Sequence, residues 1–273
     1  PYGSWDAWGI WNLKARFLFL NQWDMSSWQA LFREMHWHSE PDYPLLLPLV
    51  NVWGWSGLSE PHPFIPRLTA VIFTVSCAGL LFYGLKSFIP PLKAFAAACG
   101  VFFMPFFLFL ATNQYADILV AYYLLAAFWC LAVAVREKDR RLAFLGGLFL
   151  GWLSFTKNEG MVMAALLFVI TVGVLAMDKR ERFAGLPLWG GSLFAGLLTA
   201  GWITAVFKGF FVLPNRHVHF GNVFAASRYD ILRGHDILGG FFSEIFSYAW
   251  RGLWFFLIPF AATYTRRLWK GES

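Results

Sequence analysis

The chain has 273 residues, 58% of them hydrophobic, 20% aromatic and 14% charged. Soluble domains carry about 25% charged residues, so this balance, with a mean hydropathy of +0.53, excludes an ordinary soluble enzyme and indicates an integral membrane protein. The net charge of +6 sits mostly in short loops between apolar runs, where cations set membrane topology, so nucleic acid is not an expected partner.

Residues 1–63 read as an outer-face region of two or three amphipathic helices lying in the membrane interface. Trp5, Trp8, Asn12, Ala15 and Phe19 follow helical spacing, as do Trp28, Leu31 and Phe32, while Tyr43 to Trp55 is apolar but too short to span. A membrane helix needs about 20 mostly apolar residues. Seven candidate spans follow, at 64–86, 92–112, 117–135, 142–156, 160–177, 186–212 and 239–264. The fold expected is therefore all-α, a polytopic bundle of about seven spans over 64–273 that forms one structural domain with 1–63. The chain begins at Pro1 with polar, Trp-rich residues, and a further membrane helix is expected before it.

The charged turns sort by side. Lys86 and Lys93, the run Arg136 to Arg141, the run Asp178 to Arg182, and Arg266, Arg267 and Lys270 share one face if the seven spans alternate. The positive-inside rule makes that face cytoplasmic. The alternation requires 142–156 and 160–177 to be separate helices, split at Lys157 in the polar stretch Thr156–Gly160. Cys77, Cys99 and Cys130 lie in apolar runs and read as buried free thiols.

The unusual polar residues collect on the opposite face: Asp6, Lys14, Arg16, His36, His38, Glu40, Asp42, Asp117, Lys157, Glu159, Arg216, His217, His219, Arg228, Arg233 and His235. A charge at the centre of a membrane helix costs about 2.5–3.5 kcal/mol, so charges near spans usually face a cavity or a partner. Asp6, hemmed in by Trp5, Trp8 and Trp11, reads as a catalytic base or a helix N-cap. Asp117 opens a span, Lys157 sits at a helix break, and Glu159 reads as a first-turn carboxylate. Cations beside carboxylates at a water–membrane boundary suit a lipid phosphate. His36, His38, Glu40 and Asp42 form a run that reads as interfacial solvation or, without an established ligand spacing, as a divalent-cation site, and no cofactor is required.

Four motifs in order, Trp5-Asp6-Ala7-Trp8 through Lys14-Ala15-Arg16, Asp42-Tyr43-Pro44-Leu45, Tyr115-Ala116-Asp117 and Thr156-Lys157-Asn158-Glu159-Gly160, resemble the GT-C glycosyltransferases. The nearest kinds are the family 39 protein O-mannosyltransferases and the bacterial aminoarabinose transferases of lipid A. The resemblance spans about residues 1–212. It implies a multi-pass enzyme of the bacterial inner membrane, with its active site facing the periplasm or outside. The implied donor is a polyprenyl-phosphate-linked sugar and the acceptor a hydroxyl group. By position it makes Asp6 the catalytic carboxylate and sets Lys157 and Asp117 at the donor phosphate and sugar; Arg216, His217 and Arg16, cations of the same face, are expected to join them there. Asp42, Tyr43, Glu40 and His38 then support the acceptor or the loop. Two departures stand out: Ala7 follows Asp6 where relatives often carry a second acidic residue, and Asp42-Tyr43 replaces a His-Pro or Lys-Pro pair. The rival readings are a transporter or flippase of a lipid-linked substrate and a non-catalytic assembly subunit. A transporter would usually show polar residues at mid-depth on several helices or inverted repeats, whereas here they are few and one-sided, and an assembly subunit would not require Asp6 and Lys157 to converge.

Overall fold

The computed structural model describes residues 3–21, 24, 39–177, 186–211, 239–240, 242–243 and 247. Every described element is helical. A π-helical turn, Ala7–Trp11, leads into α1 (Asn12–Leu20), followed by α2 (Leu46–Trp55) and α3 (Phe64–Leu85). Next come α4 (Pro91–Gly100), a 3-10 turn (Val101–Phe103) and α5 (Pro105–Thr112). The chain continues through α6 (Asp117–Glu137), α7 (Arg140–Ser154), α8 (Asn158–Met177) and α9 (Leu186–Val206), which ends in a second π-helical turn, Phe207–Phe211.

Four of these helices are long and apolar enough to cross a membrane: α3, α6, α8 over Asn158–Leu175, and α9 with its π turn over Leu188–Phe211. Large apolar side chains such as Val162, Leu166, Val169 and Ile170 on α8 are exposed, as in a helix facing lipid. The chain is a multi-pass membrane protein by these helices.

Two of the seven expected spans take another form. The segment 92–112 is not one helix: α4 with its 3-10 turn and α5 meet at 68°. The cause is Pro105, since a residue before proline is pushed out of the helical region, and Met104 is extended at φ −88° and ψ 111°. The segment 142–156 is α7, only 15 residues long. At 1.5 Å per residue it covers about 22 Å, short of a hydrocarbon core of about 30 Å. Most of 239–264, and the expected helix around Trp28 to Phe32, lie outside the described residues.

The described residues divide between two compact units, one of 1–80 with 111–213, the other of 81–110 with 214–273. The second unit holds the end of α3 with α4 and α5, where Phe82 meets Phe95 edge to face at 6.2 Å. In the first, α7 is the central helix, packed against α6, α8 and α9. Val120, Leu131, Leu150, Leu153, Trp189 and Leu193 form its core.

The α7–α9 contact is close because small residues face each other. A Cβ at Gly147 would collide with the Leu193 carbonyl oxygen, and one at Gly196 with that of Phe144. Such pairs let membrane helices approach backbone to backbone. Ser154 Oγ and Thr204 Oγ1 add a hydrogen bond of 2.9 Å across the same seam.

The charged run after α6 does more than anchor. Lys138 ends α6 in the left-handed region, and the Asp139 side chain caps α7 by accepting from the Arg141 N–H at 2.7 Å. At the other end of α7, Ala15, Leu18, Leu46, Val52 and Trp55 of α1 and α2 close over Phe155 and Phe207. The N-terminal region is thus seated on the end of the bundle where α7 stops and α8 begins.

Gly147→Leu should lower stability by about 1–3 kcal/mol, the usual cost of overpacking. Gly173→Leu, whose Cβ would meet nothing within 4 Å, should stay within about 0.5 kcal/mol of wild type. Thermal melts of the purified protein in one detergent check the pair.

Candidate active site

The site begins with the break between α7 and α8. The helix stops at Ser154 and restarts at Asn158, which exposes the side of Lys157 to α6. Its ammonium donates to both oxygens of Asp117, at 3.1 and 3.3 Å. Glu159 Oε1 lies 3.7 Å from the same nitrogen. The Lys157 side chain is 14% exposed and that of Asp117 32%, so the pair is partly shielded from water and stronger than a surface pair.

The N-terminal segment reaches this pair from above the turn that precedes α6. The Ser4 N–H donates to the Asn113 carbonyl at 3.4 Å, and Ile10, Trp11, Leu47, Ala116 and Leu119 pack together. Asp6 occupies the N-cap position of the π turn, yet its side chain makes no capping hydrogen bond. Burial pushes its carboxyl up from the ordinary carboxylate range. Lys157 pulls it back, and Asp117 adds to the rise. Asp6, Lys157 and Asp117 therefore sense one another at one end of the bundle. Trp5 and Trp8, edge to face at 4.6 Å, flank Asp6 and are both about half exposed.

Tyr43 forms the wall. Its ring stacks on Trp11 at 5.6 Å, Lys157 Nζ lies 5.9 Å from its centroid, and its hydroxyl donates to Glu159 Oε1 at 3.5 Å. Burial first, and Glu159 next, raise the phenol well above its ordinary value, so it stays a donor. Behind it, Asp42 is buried and accepts from Asn158 Nδ2 at 2.7 Å. Lys208, from the π turn after α9, lies 3.6 Å from the same Asp42 oxygen, donates to the Asp42 carbonyl, and donates to Asn158 Oδ1 at 2.6 Å.

Lys14 is almost wholly buried. It donates to the Glu40 carbonyl at 2.5 Å and the Tyr43 carbonyl at 3.2 Å, and lies 5.9 Å from the ring centroids of Trp11 and Tyr43. Burial pushes its ammonium down to about 7, against the upward pull of Asp42.

Beneath these charges runs a chain of neutral hydrogen bonds. Asn12 donates to Gln114 at 3.3 Å, Asn51 to Asn12 at 3.0 Å, and Thr69 to Asn51 at 3.2 Å. It fixes α1, α2, α3 and the turn before Asp117 to one another beside a small cavity lined by Leu47, Asn51, Ala70 and Gln114.

Among the expected site residues, Asp6, Asp117, Lys157, Tyr43 and Asp42 come together, and the Glu40 carbonyl joins them through Lys14. Arg16 is exposed, so the inward cation of the first motif is Lys14, two residues earlier. His38, Arg216 and His217 lie outside the described residues. No three His, Cys, Asp or Glu side chains among the described residues are grouped as a metal site. Lys208 and Asn158 carry no assigned role in the sequence reading. Lys208 had one signal, a lysine within an apolar run. Around Lys157 the carboxylates Asp117 and Glu159 are in direct reach and Asp6 acts through charge, while Lys14 and Lys208 hold the Glu40–Tyr43 segment beside them.

No protein-family model, curated protein or solved structure matches this chain.

A carboxyl raised on folding binds its proton more tightly in the folded chain, so its contribution to stability is present at low pH and lost as pH rises through the raised value. Asp6→Asn should therefore melt at or above the wild-type temperature at pH 7, the two converging as pH falls below the ordinary aspartate range. Lys157→Met, which leaves Asp117 without its partner, should cost about 1–3 kcal/mol. Melting curves across pH check both.

Proposed function

We propose that this protein is an inverting glycosyltransferase of the GT-C kind, taking a sugar from a polyprenyl phosphate to an acceptor hydroxyl at the membrane boundary. The observation that carries the reading is the Lys157–Asp117 ion pair at one end of an apolar bundle, with the segment that bears Asp6 seated beside it through Ser4 on Asn113 and through Ile10 and Trp11 on Ala116 and Leu119. A scaffold has no need of this convergence, and a transporter would be expected to carry its polar residues at mid-depth on several helices.

The chemistry follows from charge. The acceptor oxygen attacks the anomeric carbon on the face opposite the phosphate. Asp6 takes the hydroxyl proton, and its raised proton affinity makes it a better base than an exposed aspartate. The glycosyl C–O bond breaks and its electron pair leaves with the phosphate, so one displacement inverts the anomeric centre. Lys157 neutralises the charge that develops there. The donor phosphate takes the place of Glu159, the looser of the two carboxylates at Lys157, while Asp117 keeps the ammonium in position. Arg216 and His217 are assigned as additional phosphate donors. Exposed α8 faces the lipid tail, and the half-exposed Trp5 and Trp8 sit at the interface. The membrane is proposed to be the bacterial inner membrane, with the site facing the periplasm.

The test is Asp6→Asn in the full-length protein, supplied with a panel of polyprenyl-phosphate sugars. Turnover should fall about 10²–10⁴-fold, the worth of one general base, while donor binding, measured separately, stays within a few-fold of wild type. Turnover that survives the change removes Asp6 from the role of base.

A further inference from the structure

We propose that Lys14 and Lys208 are positioning residues that grip the backbone of Glu40–Tyr43 from two different helical elements and so set the Tyr43 ring against Lys157 and Glu159. Lys14, on α1, holds the Glu40 and Tyr43 carbonyls. Lys208, on the π turn that ends α9, holds the Asp42 carbonyl, with the Asp42 carboxylate and Asn158 beside it. The gripped segment is strained, since Glu40 sits in the left-handed region at φ 43°, where a Cβ crowds the following carbonyl oxygen. Such a conformation persists only where its surroundings over-determine it, and the N–H donors of these two lysines supply that determination. Lys14 donates to two backbone carbonyls and Lys208 to one, the acceptor that any residue at 40–43 would offer. Their target is thus the path of the segment.

Burying a cation that faces mainly carbonyl dipoles is costly, and this gives the grip a pH dependence. The charged or titratable groups that face Lys14 are Glu40, Asp42 and Lys208, with the Tyr43 ring beside it. An opened segment returns Lys14 to water and its ordinary proton affinity, so the open state binds the proton more tightly. The closed state therefore gains stability as pH rises above about 7 towards the ordinary lysine value. The inference relies on the transferase reading only for what the positioned ring serves; the grip itself is a property of the fold.

Hydrogen exchange of the full-length protein in lipid nanodiscs tests it, because two amides report on the segment: the Tyr43 N–H bonds the Glu40 carbonyl at 3.0 Å and the Leu46 N–H bonds the Phe155 carbonyl at 3.2 Å. In Lys14→Met these two should exchange at least about tenfold faster, the equivalent of one charge-assisted hydrogen bond, while the amides of α7 keep their protection. Corrected for intrinsic rates, wild-type protection of the two should rise from about pH 7 to about pH 9, and Lys14→Met should lose that trend. Unchanged exchange, or a trend that survives Lys14→Met, overturns the role of Lys14. Should Lys14→Met unfold α7 as well, Lys208→Met decides: faster exchange at Tyr43 and Leu46 with α7 intact supports the grip, and wild-type exchange there overturns it. A wild-type protein that transfers no sugar sinks the transferase reading and leaves the exchange result standing.

Discussion

A lysine at a helix break, held by the first residue of another helix, is the contact on which the rest of this structure depends. Lys157 lies between α7 and α8, and a lysine side chain that is 14% exposed needs a counter-charge. Asp117 supplies it. Because Asp117 opens α6, the pair aligns the start of α6, the end of α7 and the start of α8 at one level. The small-residue seam between α7 and α9 then brings Lys208 to that level too. One ion pair and one seam thus gather onto one end of a largely apolar bundle the charges that the chain can least easily bury.

Two of the three left-handed non-glycine residues among the described residues lie in the segments that feed the site at this same end, the third being Lys138 at the far end of α6. Glu40 precedes Asp42 and Tyr43, and Gln114, at φ 62°, precedes Asp117. Each is held by a polar contact from α1, through Lys14 for Glu40 and through Asn12 for Gln114. Backbone strain of this kind tends to sit where geometry matters for function, as do π-helical turns, and this end has one on either flank: Ala7–Trp11 beside Asp6 and Phe207–Phe211 carrying Lys208. The proposed chemistry asks for a base, a phosphate partner and a wall held in fixed relation, and two α1 side chains perform most of the holding.

Much of this was legible in the sequence, and the reasons differ by element. Composition and run length disclose helices in a membrane, because hydropathy summed over about 20 residues is a strong signal. The break at Lys157 was readable because a polar stretch divides two apolar runs, and Asp117 because it opens one. The bend at Met104–Pro105 was readable from Pro105 but is hidden by the unbroken apolar run around it. The short reach of α7 was already in the run length, since the apolar stretch 142–156 is as short as the helix it forms. Lys14 and Arg16 are two residues apart in one motif, and only the packing of α1 against α2 decides that Lys14 turns inward. Lys208 and Asn158 matter through contacts across 50 residues of chain, which no local pattern encodes. The same holds for the Asn12–Asn51–Gln114 chain.

The convergence of Asp6 on the Lys157–Asp117 pair is best tested by following the Asp6 carboxyl directly, with carbon-13 labelled aspartate and NMR in detergent micelles across pH. Lys157 holds the Asp6 carboxyl down and Asp117 pushes it up. The Asp6 midpoint should therefore move upward in Lys157→Met and downward in Asp117→Asn. An Asp6 midpoint that stays in place in both variants would contradict the convergence, and with it the proposed site.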